Sequence, residues 1–263
     1  MLEDLGFGSM LPAYSEQSSS ARPAEAALRK AAGLWFFVTL LGLWVFLYRI
    51  VGQYGVATLS GRFQDWHRNN LLFKGYVPGD TVGNLAFAAH VTFAAVVTVG
   101  GVLQLVPQIR ARALALHRWN GRAFMVAAAT ASVAGLYMVW VRHAHSGPVN
   151  AVGVSLNAML NLVCVTVAWR AARRGDIDGH RRWALRTFMV VNGVFFKRVA
   201  TGPEWFVEFG SYLVPLAILE LYLRAKASRS RTAQLALAIG LVAVTIYMWV
   251  GAVGFARWVL QRT

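Results

Sequence analysis

Long apolar runs separated by short basic gaps dominate the chain. A helix that crosses a bilayer needs about 20 mainly apolar residues, because it must satisfy its backbone hydrogen bonds internally across the hydrocarbon layer. Seven windows reach or approach that length: 32–52, 82–106, 120–141, 150–169, 184–200, 209–224 and 233–254. The expected fold is all-α and integral to a membrane, with seven transmembrane helices. The fifth and sixth windows give the weakest signal. Lys197, Arg198, Glu204 and Glu208 crowd their junction, and Pro215 removes a backbone donor inside the sixth. A re-entrant pair is the alternative there.

The segments around the runs divide the chain. Residues 1–30 carry Glu3 and Asp4 where a secretory signal would carry positive charge, and they run through Ser18, Ser19, Ser20 and Pro23. They read as a mobile cytoplasmic tail with no evident cleavable signal, ahead of a single transmembrane domain over 31–263. The stretch 53–80 is too long for a simple turn, and its Phe63, Trp66, Phe73 and Tyr76 suit the headgroup layer. It is expected to lie on the external membrane surface as a lid.

Composition and charge add a direction. Hydrophobic residues make up 57% of the chain and charged ones 14%, which is too apolar for an ordinary soluble domain. The 26 Lys+Arg against 11 Asp+Glu would elsewhere suggest nucleic acid, but here the basic residues sit between spans, so no nucleic-acid partner is expected. Arg110, Arg112, Arg118 and Arg122 fill the gap between the second and third windows. Arg170, Arg173, Arg174, Arg181, Arg182 and Arg186 fill the gap between the fourth and fifth, and the gaps on the opposite side are poorer. By the positive-inside bias the N-terminus is cytoplasmic and the C-terminus periplasmic or external. The single cysteine, Cys164, excludes an intramolecular disulfide and a cysteine-only metal cage.

An internal repeat lies inside this pattern. Trp119-Asn120-Gly121-Arg122-Ala123-Phe124-Met125-Val126 aligns with Trp183-Ala184-Leu185-Arg186-Thr187-Phe188-Met189-Val190, and each block follows a His-Arg pair, His117-Arg118 and His180-Arg181. Arg182 is one extra residue in the second copy. Both copies stand where an outward-running helix leaves the cytoplasm. A duplicated two-helix hairpin explains this, with the second and third helices repeated as the fourth and fifth about an axis along the membrane normal. The repeat spans 82–200 and forms a four-helix core, with the first, sixth and seventh helices around it.

The stretch from about His90 through His117-Arg118-Trp119-Asn120-Gly121-Arg122 to His180-Arg181-Arg182-Trp183-Ala184-Leu185-Arg186 resembles the bacterial membrane family of domain of unknown function 2306. The similarity covers roughly residues 85–200. Members often carry methionine after the second tryptophan, where this chain has Ala184. The resemblance implies a bacterial inner-membrane protein and brings no established activity.

The residues themselves suggest where chemistry sits. His117 and His180 open their helices, where free N–H groups and the helix dipole favour an anion. Arg118 with Arg122, and Arg182 with Arg186, are four apart, so each pair shares a helix face and can grip a phosphate or carboxylate. With Trp119 and Trp183 they form a candidate ligand or lipid site, against the plainer role of orientation signals that snorkel to lipid phosphates. His90 lies about 12 Å inside its span at 1.5 Å per residue. Ionisable groups there face a bundle interior, either as a haem or metal ligand or as a structural hydrogen bond. His67, His143 and His145, with Asp65 and Glu204 or Glu208, are the external candidates for a metal, against solvated loop residues. Asn157 and Asn161 read as helix-to-helix hydrogen bonds, and Glu220 as the partner of Arg224 four residues on.

Two readings of function follow. In the first, the protein is an inner-membrane accessory or ligand-binding protein holding an anionic lipid, a quinone-like ligand or a partner subunit at the duplicated motif. In the second, it is a membrane oxidoreductase with one b-type haem, held by His117 with His180 or by His90 with another ligand. A small-solute transporter is a third reading, argued against by the absence of visibly interrupted helices. No phosphate-binding glycine loop, nucleophile elbow or zincin helix appears, so soluble-enzyme chemistry has no visible home.

Overall fold

A computed structural model of the chain describes residues 21–67, 75–228 and 230–261. Among these residues the structure is helical throughout, with no strand. Six helical segments are long and apolar enough to cross a membrane: Pro23–Leu59, Thr81–Leu105, Leu114–Trp140, Pro148–Arg173, Glu204–Ser228 and Arg231–Leu260. Helix α1 is Ala21–Ile50, continued by a π-helical turn at Val51–Gly55 and by α2, Val56–Leu59. Then come α3 (Thr81–Leu105), α4 (Pro107–Arg112), α5 (Leu114–Trp140), α6 (Pro148–Arg173), α7 (Ile177–Val191), α8 (Gly193–Val199), α9 (Glu204–Ser228) and α10 (Arg231–Leu260).

Side chains and turns set these limits. Asp80 caps α3, Asp176 caps α7 and Ser230 caps α10, each accepting the N–H three residues on. Pro107 and Pro148 open α4 and α6, where a missing N–H costs nothing. α1 starts at Ala21 and not near 31, so the expected tail is shorter. Its alanine-rich sequence favours a helix, and Ala24 and Leu28 are buried. Leu28 joins Tyr222 and Ala225 in the largest apolar core. The rest of the expected tail, 1–20, lies outside the described residues.

The fifth expected span departs most from the reading. Its first half, from 184, is the end of α7, a 15-residue helix that starts at Ile177 in the charged stretch with Asp178, Arg181 and Arg182 and is too short to cross a membrane alone. Its second half is a separate short helix, α8. The break falls at Asn192, whose side chain donates to Phe188 O at 2.8 Å and so competes for a helix carbonyl. An interrupted helix is therefore present where none was visible in the sequence. The sixth span runs unbroken through Pro215. α7 packs along α6, and α8 along the start of α9.

α3, α5, α6 and α7 form one packed group, with α3 against α5, α5 against α6 and α6 against α7, while α1 pairs with α10 on another side. Gly101 of α3 marks the meeting point. A Cβ there would lie 3.0 Å from Phe124 and 3.2 Å from Phe188, so α3 receives the phenylalanines of both aligned blocks. The expected external lid folds onto protein. Trp66 is buried in a cluster with Ala57, Phe87, Met138 and Ala144 and not in headgroups, while Phe63 and Tyr76 stack at 5.9 Å. Phe73 is outside the described residues.

Candidate functional site

The two copies of the motif converge at the end of the bundle where α5 and α7 begin. His180 and Arg110 lie within electrostatic reach of His117. Arg110, on the short α4 outside the spans, has its guanidinium pKa lowered by burial and then by the charge of Arg181. Trp183 and Ala184 pack on the cluster of Phe124, Met125 and Val165.

Each copy makes the same local contact. The Arg122 guanidinium carbon is 4.9 Å from the centroid of the Trp119 ring, and that of Arg186 is 4.7 Å from Trp183. In both cases the tryptophan stands three residues before the arginine, the spacing that stacks side chains on a helix. The surroundings then differ. Trp119 is 68% exposed, and Arg118 and Arg122 are exposed with no carboxylate partner among the described residues. Arg186 is bidentate on Glu220 of α9, with Nε to Oε1 at 2.7 Å and Nη2 to Oε2 at 3.0 Å. Glu220 is thus not paired with Arg224 as its spacing suggested. The planar fork of Arg186 matches the carboxylate across the α7–α9 contact. Arg182 is exposed, and Arg181 has Asp178 at 3.7 Å.

The histidines differ as well. His180 Nδ1 is 3.0 Å from Ala168 O, and since a carbonyl only accepts, Nδ1 carries the proton and donates. His117 Nδ1 is buried with no hydrogen-bond partner, although Gln104 donates to the His117 carbonyl at 2.9 Å. Asn120 donates to Gly100 O at 2.9 Å and ties the first copy to α3. Gln104 was not singled out in the sequence, where its only signal was a polar residue near the end of an apolar run, and Asn120 was read only as part of the aligned block.

The other candidates are dispersed. His90 donates from Nδ1 to Ala131 O at 2.8 Å and so links α3 to α5. Asn157 donates to Val190 O, and Asn161 to Ala128 O and Ser132 Oγ, linking α6 to α7 and α5 as expected of span asparagines. His143 occupies the left-handed region at φ 51 and is exposed, closing the end of α5. Glu208 is buried, accepting from Asn150 at 2.9 Å and paired with Lys197, so it does not serve an external metal cluster. Asp65 pairs with Arg62 at 3.4 Å, Glu204 is exposed in the first turn of α9, and the side chain of His67 lies outside the described residues. No three His, Cys, Asp or Glu side chains gather as a metal-binding group among the described residues. Arg142, just past the end of α5, is a further residue that sequence reasoning passed over. It is buried and bonds Asp80 at 2.8 Å and Gly75 O at 3.1 Å, which ties the segment before α3 to the end of α5.

An apolar multi-helix bundle with basic gaps defines a membrane protein. The sequence profile of the family described as "Predicted membrane protein (DUF2306)" matches residues 87–223, more than half of the chain. The protein belongs to that family, and the match extends beyond the motif blocks through most of α9. No curated protein and no solved structure matches the chain.

Proposed function

We propose that the protein is a bacterial inner-membrane protein that holds an anionic headgroup at the first copy of its duplicated motif. The N-terminus is cytoplasmic, the C-terminus external, and the broken α7–α8 pair serves as the seventh crossing between α6 and α9. On this reading the α3–α5 and α6–α7 hairpins are two copies of one unit, and the motif faces the cytoplasmic leaflet. Membrane lipids are the partners, and a subunit of a membrane complex would dock at the same face.

One observation carries the reading. Two chemically equivalent arginines stack on equivalent tryptophans, yet only Arg186 is neutralised by a carboxylate. Arg122, with Arg118 beside it and Trp119 exposed, keeps its donors for a ligand. A phosphate takes the place that Glu220 holds in the second copy, because guanidinium matches phosphate and carboxylate alike. Among the ligands considered, a headgroup phosphate fits this chemistry better than a neutral quinone.

Native mass spectrometry of the protein extracted from its membrane tests the reading. The double variant Arg122→Lys with Arg186→Lys keeps charge and loses the planar fork, so it should shed bound anionic lipid without changing topology. Undiminished bound lipid would reduce the motif to an orientation signal.

A further inference from the structure

Most of the arginines lie at the motif end of the bundle, but Arg49 and Arg198 stand toward the other end. Arg49, in the last turn of α1, is 7% exposed, and its guanidinium carbon lies 5.2 Å from the centroid of the Trp258 ring near the end of α10. The π-helical turn Val51–Gly55 follows at once. Bonds of the i→i+5 type widen the helix there, and Tyr54, five residues after Arg49, comes within electrostatic reach of both Arg49 and Arg198. The Phe87 ring of α3 packs edge-on against Tyr54 at 5.5 Å.

Arg198 approaches from α8. Its neighbour Lys197 turns to Glu208 of α9, whereas Arg198 turns to α1, with its guanidinium carbon 4.9 Å from the centroid of the Phe46 ring. Phe46 stands about one turn before Arg49, so the two guanidinium groups converge on one stretch of α1 and lie within electrostatic reach of each other. Arg198 Nη1 donates to Val194 O at 2.8 Å. The other edge, Nε with Nη2, makes no hydrogen bond, and Arg198 has no carboxylate partner among the described residues. That edge is the fork that grips an oxyanion. His90 of α3 is within reach of Arg198, and both are surrounded by protein yet keep accessible surface, so they line a crevice between α1, α3 and α8. An arginine that only snorkels points out of the bundle and not onto a neighbouring helix.

We propose that this crevice is an anion site, in which Arg198 grips a small water-borne oxyanion of the phosphate class with Arg49 and the Tyr54 hydroxyl beside it. An enclosed guanidinium with a like charge in reach is costly to hold, and a bound anion offsets that cost. The guanidinium fork donates to two oxygens and a tyrosine hydroxyl to a third. A tetrahedral phosphate presents all three, and a planar carboxylate only two. The source differs from that of the headgroup at the motif. Trp119 and Arg122 lie exposed on the surface, whereas a phospholipid at Arg198 would have to bring its acyl chains between three helices.

The test dialyses the whole protein, in an uncharged detergent, against radiolabelled inorganic phosphate with chloride fixing the ionic strength. Wild type should bind phosphate, and Arg257→Gln, an exposed arginine in the last turn of α10, should match it. Arg198→Gln should weaken that binding about ten-fold or more. The measurement is repeated with Arg122→Lys in each protein, so that phosphate held at the motif is not counted. Should Arg198→Gln fail to elute as a folded species, phenylglyoxal on the wild type replaces it. Phosphate should slow labelling of Arg198 about five-fold, and chloride at equal ionic strength should not. Absence of phosphate binding, unchanged binding in a folded Arg198→Gln, or labelling of Arg198 that phosphate does not slow would overturn the proposal. So would loss of a bound phospholipid from Arg198→Gln in native mass spectrometry, since a headgroup would then be the occupant.

Discussion

The two copies of the His-Arg-Trp motif share residue types and a local arginine-on-tryptophan stack, and they differ in everything contributed from outside the hairpin. In the second copy α9 supplies Glu220 to Arg186 from outside, while within the hairpin α6 supplies the Ala168 carbonyl to His180. In the first, Arg122 has its tryptophan alone for partner, and His117 Nδ1 is buried unsatisfied. The second copy is a structural joint, and the first is an open surface of the same chemistry. Two matching sequence blocks therefore need not make two equal sites, because each block takes the neighbours that other helices bring to it.

The contrast is broken most severely at Arg186. Arg186→Ala leaves Glu220 half-buried without its counter-ion and removes the Trp183 stack. It should cost about 2–4 kcal/mol, below the full penalty for a deeply buried pair because Glu220 keeps some solvent contact. Arg122→Ala should cost under about 1 kcal/mol. Thermal unfolding of both variants in one detergent checks the asymmetry, and equal losses would abolish the distinction between joint and open surface.

A second prediction concerns the place where the copies meet. Gly101→Ala puts a methyl against the rings of Phe124 and Phe188 together, and packed aromatics give way only with backbone shifts. A loss of about 1–3 kcal/mol is expected, measurable in the same unfolding assay. A neutral substitution would mean that the two phenylalanines do not meet across α3.

The histidines should show opposite signs. His117→Phe removes a buried nitrogen that has no partner, and it should be neutral or stabilising by up to about 1 kcal/mol. His180→Phe removes a hydrogen bond to the Ala168 carbonyl, which keeps its own partner within α6, and it should destabilise by about 1 kcal/mol. Destabilisation of similar size in both would show that His117 is satisfied in the membrane.

Much of this contrast could not be read from the sequence. The long apolar runs located the spans, since a bilayer demands length and apolarity and both are written locally. The two motif copies were visible for the same reason. The choice of partner was not. Arg224 stands four residues after Glu220 and is the local candidate, whereas Arg186 reaches it only once α7 lies on α9. Asn192-Gly193 is a dipeptide that can break a helix, but inside an apolar run it did not read as one, because the break also depends on the Asn192 side chain bonding Phe188 O and on α8 packing along α9. Trp66 read as a headgroup residue because an exposed loop and a buried one look alike until the start of α3 and the end of α5 are in place. Glu208 and Lys197 looked like a source of ambiguity about a span and proved to be each other's partner.

The most direct test of the account counts anionic lipids retained by single variants in native mass spectrometry. Wild type should keep lipid at one site, Arg122→Lys should lose it, and Glu220→Gln, which frees Arg186, should gain a second. Retention by Arg122→Lys with no gain in Glu220→Gln would contradict the claim that one copy of the motif is open to an anion and the other is closed by its own carboxylate.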